Sequence, residues 1–104
     1  MIRKAFLMKL KPGCQAEYER RHNPIWPELQ TVLHRHGASN YSIFLDRNTD
    51  NLFAYVEIQS EELWMQIATP DECRLWWSHM KELMQTNPDD SPVAVGLDEV
   101  FHLP

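Results

Sequence analysis

The 104-residue chain has only two cysteines and three glycines, and its 15 acidic side chains outnumber its 10 Lys and Arg. Each shortage closes off a class of function. Cys14 and Cys73 stand far apart and in no motif. No disulfide framework is expected, a reducing cytosol is the natural setting, and both thiols read as packed or half-packed side chains. Three scattered glycines cannot form a phosphate-cradling loop. A net charge of −5 and a pI near 5.4 argue against nucleic acid, whose affinity comes mainly from Lys and Arg on phosphates. The same balance leaves no basic amphipathic face for an anionic membrane. Arg3, Lys4 and Lys9 interrupt the first apolar stretch, so neither a signal peptide nor a membrane span is expected. There are five histidines, but His34 and His36 are splayed two apart on a helix. No His, Cys, Asp or Glu cluster has zinc or iron spacing, and no metal site is expected.

What remains is the profile of one globular domain over residues 1–104, 43% hydrophobic and 24% charged. Ile2 to Leu10 reads as a strand, with Ile2, Phe6, Met8 and Leu10 on one face and Ala5 and Leu7 on the other. Lys11-Pro12-Gly13 is a turn. A helix from Cys14 to Arg21 is interrupted at Asn23-Pro24 and resumes from Pro24, with Ile25, Leu29, Val32 and Leu33 at helical spacing and Gly37 as terminator. Asn23 and Pro24 fit a fresh N-cap and first-turn proline; Pro27 then predicts a kink. Asn40 to Asp46 and Asn51 to Ile58 read as a hairpin across the polar turn 47–50. A short helix opens at Ser60 and runs to about Ala68. Thr69-Pro70-Asp71-Glu72 reads as a capping box for a helix to about Met84. A structured loop follows over 87–92, and Val95 to Leu103 closes as the fourth strand.

Strand, helix, two strands, helix, strand is the ferredoxin-like βαββαβ order, an α+β fold with helices on one face of an antiparallel sheet. Both faces of these strands carry apolar residues: Phe53 and Tyr55 oppose Leu52, Ala54 and Val56, and Leu7 opposes Phe6 and Met8. Helices cover one face only. A second copy of the chain is the simplest cover for the other, which predicts a homodimer with facing sheets.

Chemistry concentrates in "YERRHNPIWPEL", Tyr18 to Leu29. Tyr18 and His22 are four apart and share one helix face, just before a break that can tilt both toward a pocket. A surface histidine at an ordinary helix bend fits the spacing equally well. On the later helix, Trp76 and Trp77 point about 100° apart, so one can serve the core while the other lines a cleft. Four tryptophans are many for this length. Aromatic faces pack on the C–H face of a sugar, with polar partners at the rim, although for any single tryptophan plain core packing is the commoner role. Glu17 precedes Arg21 by four and reads as helix support.

Together with that segment, "ASNYSIFLD" (Ala38 to Asp46), "CRLWW" (Cys73 to Trp77), "NPDDSPV" (Asn87 to Val93) and "EVFHLP" (Glu99 to Pro104) resemble the L-rhamnose mutarotase family from the first strand to the last residue. The resemblance implies interconversion of the α and β anomers of L-rhamnopyranose by a cytoplasmic homodimer with a dimeric α/β-barrel fold and no cofactor. It assigns the proton donor to His22 and substrate contacts to Tyr18, Tyr41, Trp76 and Trp77. Asp90 departs from the pattern, where asparagine is expected. Two other readings use the same fold: an oxygenase or isomerase acting on a hydrophobic or haem-like substrate, and a sugar-binding protein without catalysis.

Overall fold

A computed structural model describes residues 1–104. The order is β1 (Ile2–Lys9), α1 (Gln15–Arg21), α2 (Pro27–Arg35), β2 (Ala38–Asp46), β3 (Asn51–Ile58), α3 (Glu61–Met65), α4 (Asp71–Met80) and β4 (Val95–Leu97). Short 3-10 turns follow α3 and α4, over Gln66–Ala68 and Lys81–Leu83. The four strands form one sheet in the order β2-β3-β1-β4, every neighbouring pair antiparallel. This is the expected α+β ferredoxin-like arrangement.

Alternation along the strands decides the core. Leu52, Ala54, Val56 and Ile58 of β3 are at most 2% exposed. Leu52 and Ala54 lie with Met8 and Leu10 under Leu29, Cys73, Trp76 and Met80 from the helices, while Val56 and Ile58 cluster with Ala38 against Phe6, Leu33 and Trp64. No helix is long and apolar enough to cross a membrane. The opposite face is bare: Phe44, Phe53, Val95 and Leu97 are all exposed, and Leu7 pairs across to Phe53 and Val95 at its centre.

Several boundaries differ from the expectations drawn from sequence, the start of β2 at Ala38 instead of Asn40 and the end of α3 at Met65 among them. Asn23 ends α1 instead of starting α2, because its side-chain amide donates to the Glu19 carbonyl at 2.8 Å. His22 is the C-cap of α1, Trp26 the N-cap of α2, and Pro27 opens α2. Proline fits that first position because its missing N–H has no intrahelical partner there. Thr69 forms no capping box, since its hydroxyl donates back to Gln66 at 2.8 Å; Pro70 takes the N-cap position without a side-chain cap. The last helix stops at Met80, and after its 3-10 turn Met84 bridges to Leu10. β4 pairs only from Val95 to Leu97. Beyond it Arg3 holds Glu99 through two hydrogen bonds of 3.0 and 2.7 Å, while Val100, Phe101 and Leu103 stay exposed with nothing in the single chain to pack against.

At the other end of α2, Gly37 terminates the helix as expected. Its φ is +83°, and a Cβ there would stand 3.1 Å from both Gln59 and Leu63, so glycine serves both the left-handed turn and the close approach.

Candidate active site

Between the covered face of the sheet and the helices lies a cavity of about 960 Å³, and Tyr18, His22, Tyr41, Trp76 and Trp77 all line it. Each reaches the cavity by a local device. Tyr18 and His22 share one face of α1, and their rings pack at a tilt of 37° with centroids 4.3 Å apart. His22 sits where the helix ends, its Nδ1 2.9 Å from the Tyr18 carbonyl oxygen. Tyr41 stands at a bulge in β2. Ser39 pairs with Glu57 and Ser42 with Tyr55, so Asn40 and Tyr41 together oppose Val56. Asn40 takes the left-handed conformation the bulge requires, with φ +48°, and its amide donates to Glu57 at 3.0 Å. Asparagine adopts that region more readily than most residues.

Trp76 is 8% exposed and forms the back of the site. His22 meets it edge-on at 5.1 Å, and Trp26 does so at 5.0 Å. Trp26 also lies over His79 at 5.2 Å. The N-terminus of α2 is thereby packed onto α4, and the proline-rich stretch delivers this buttress as well as the end of α1. Trp77, half-buried, packs on the edge of the core and lines the cavity too. Arg21 locks the two helices together. It donates to Glu17 at 2.7 Å, as its spacing suggested, and reaches across to Glu82 and the His79 carbonyl, each at 2.6 Å.

The electrostatics separate His22 from its neighbours. Burial lowers its pKa, partly offset by the hydrogen bond to the Tyr18 carbonyl, so the neutral imidazole prevails at neutral pH. Burial, with some help from the Tyr41 phenol, pushes the Tyr18 phenol well above its ordinary value. Tyr41 keeps 36% of its surface exposed, yet desolvation of its phenol, with a smaller contribution from Cys73, raises it strongly as well. Burial pushes the Cys73 thiol up to about 11. Both cysteines are free. His34 and His36 turn their Nδ1 atoms to main-chain carbonyls of Ala38 and Val32, and no three His, Cys, Asp or Glu side chains gather as a metal-binding group.

A family model described as L-rhamnose mutarotase matches residues 3–103. The chain belongs to the L-rhamnose mutarotase family. The L-rhamnose mutarotase of Escherichia coli (strain K12) is 57% identical over all 104 residues, with both chains covered completely. The crystal structure of an L-rhamnose mutarotase from Formosa agariphila, 40% identical, superposes with a TM-score of 0.91 over the whole of both chains. An antibiotic biosynthesis monooxygenase shares the fold alone, at 12% identity and a TM-score of 0.63 over 96% of this chain and 99% of its own.

Some wall residues carried no legible sign of their place. Trp64 faces Tyr41 at 6.3 Å from the short α3, too brief for its periodicity to assign a face. Arg47 and Gln15 reach the cavity from a turn and a helix start that read only as polar. The loop over 87–92 was legible as structured, and its Asp90 and Ser91 line the cavity. Asp90 has φ +71°, a left-handed conformation that asparagine and aspartate both enter more readily than most residues, so the departure from the family pattern keeps a tolerated backbone shape.

Proposed function

We propose that this chain interconverts the α and β anomers of L-rhamnopyranose, with His22 transferring the proton at the anomeric centre. The convergence of His22 with two tyrosines and two tryptophans on one cavity carries this reading. Mutarotation breaks the C1–O5 bond of the hemiacetal, turns the aldehyde by rotation about C1–C2, and closes the ring on the other face. A proton leaves the anomeric hydroxyl and another arrives on the ring oxygen; on closure the roles reverse. Histidine suits this because both of its protonation states are accessible near neutral pH.

Trp76 and Trp77 offer aromatic faces to the C–H surface of the sugar. The Tyr18 and Tyr41 phenols, kept neutral by burial, give hydroxyls that donate and accept toward the sugar's own. The apolar remainder of the wall suits the methyl group that distinguishes a 6-deoxyhexose from a sugar with a terminal hydroxyl, because an extra hydroxyl there would lose its water without gaining a partner.

The active form is a homodimer in the cytoplasm. One chain buries only 16 of its 104 residues, little for a stable domain of this length. Its uncovered sheet face presents Leu7, Phe44, Phe53, Val95 and Leu97 as one apolar surface, and a two-fold axis lets that surface cover its own copy. Polarimetry on freshly dissolved α-L-rhamnose tests the activity. The rotation should relax to equilibrium faster with protein than without; unchanged relaxation with sugar bound would instead mark a binding protein.

A further inference from the structure

We propose that His22 alone carries the proton through both halves of the reaction, its Nε2 passing it between the anomeric and ring oxygens, while the Tyr18 main-chain carbonyl holds the imidazole in the tautomer that allows this. The inference rests on the reading of His22 as the proton-transfer group. It replaces a separate donor and acceptor with one atom.

The geometry begins with Nδ1, 2.9 Å from the Tyr18 carbonyl oxygen. A carbonyl only accepts, so Nδ1 carries the hydrogen. In the neutral ring Nε2 then holds the lone pair and is the only nitrogen left for the sugar. The tilted packing on Tyr18 at 4.3 Å and the edge contact with Trp76 at 5.1 Å oppose a ring flip that would exchange the nitrogens. His22 therefore starts as an acceptor, and its lowered pKa agrees with that resting state.

The groups around it are poor alternatives. On α1 and β2 the Tyr18 and Tyr41 phenols stay protonated, as does the Cys73 thiol on α4. The charged side chains lining the cavity from other elements are engaged: Lys4 with Glu61 at 3.1 Å, Arg47 with Glu19 at 3.5 Å, and Asp90 with Lys81 at 3.6 Å. Arg21 is held by Glu17 and Glu82, and His79 lies against Trp26 and Trp76.

The step balances without a second group. Nε2 takes the O1 proton; the O1–H pair forms the C1=O1 double bond, the C1–O5 pair leaves onto O5, and the imidazolium gives its proton to O5. Rotation about C1–C2 presents the other aldehyde face. On closure Nε2 takes the O5 proton, O5 attacks C1, and the imidazolium returns the proton to O1. Both oxygens are bonded to C1 in either anomer, so one nitrogen at that edge serves both.

A pH profile of kcat/KM decides between one group and two. The relay predicts a rise of about tenfold per pH unit up to a single pKa, then a plateau to about pH 8.5. That pKa should lie below the ordinary histidine value of 6.5. A bell, or a fall above the histidine pKa, would show that the imidazolium is a separate donor and overturn the relay. A phenol serving as a hidden second acid would leave the plateau intact, so Tyr18→Phe and Tyr41→Phe are measured alongside. The relay predicts a raised KM with kcat within about threefold, whereas a hundredfold loss of kcat in either would contradict it. Nitrogen NMR at neutral pH should find the His22 Nδ1 protonated and Nε2 bare; the opposite tautomer also overturns the relay. Full activity in His22→Ala would instead remove the reading of His22 on which the relay depends.

Discussion

Phe53 and Ala54 are neighbours in β3, yet Phe53 is 42% exposed and Ala54 is 2% exposed. The difference is the difference between the two faces of the sheet. On Ala54's side the helices close over a core and leave a cavity lined by His22 and the aromatic residues. On Phe53's side the apolar residues Leu7, Phe44, Val95 and Leu97 form a second surface with nothing over it. The same alternation writes both faces, so the strand pattern alone says where side chains point and not what covers them. What the contrast teaches is a division of labour: the covered face builds the cavity in which the chemistry is proposed, and the bare face is the surface proposed to meet a second copy.

The sharpest way to break that contrast is to damage each side of the same strand in turn. Ile58 is fully buried on the covered face, and Ile58→Ala should lose about 2–5 kcal/mol of stability, read as a lowered urea or thermal midpoint. A loss below about 0.5 kcal/mol would mean the covered face is not the core. Phe53→Glu on the bare face should keep the circular dichroism of the fold while shifting sedimentation from dimer to monomer at about micromolar concentration. A monomeric unsubstituted protein under those conditions would remove the account of that face.

The smallest effect is expected at a partly exposed carboxylate of α1. Hydrogen bonds from Arg20 and Arg21 hold the Glu17 carboxyl at about 2, below its ordinary 4.5. Its contribution is fully present above the ordinary value and fades as pH falls toward 2. Glu17→Gln should lower the melting temperature only slightly at neutral pH, since exposed pairs contribute little. It should also flatten the acid limb of stability between those two values; an unchanged acid limb would show that Glu17 does not help set it.

The order of elements and the sheet's core face were legible because they depend on short-range signals: alternation in β3, the Gly37 terminator, and the polar turn of the hairpin. The end of α1 was misread because Asn23 has the chemistry to cap either helix, and only the Glu19 carbonyl within its reach decides which. Thr69 was misread for the same reason, its hydroxyl having two possible backbone partners. The tail beyond Leu97 alternates like a strand, but pairing needs a neighbour, and sequence does not supply one. Of the site, the Tyr18–His22 spacing and the Trp76–Trp77 pair stood out. The bulge that carries Tyr41 and the Trp26 buttress behind Trp76 depend on cross-strand and inter-helix packing that no local pattern records.

The most direct test is saturation-transfer proton NMR on the anomeric signals of L-rhamnose. The account predicts transfer between the α and β signals when the protein is added, and a fall in exchange rate of about 10²–10⁴-fold in a folded His22→Ala variant. Transfer undiminished in that variant would contradict the assignment of the chemistry to His22, and no transfer with the unsubstituted protein would contradict the activity itself.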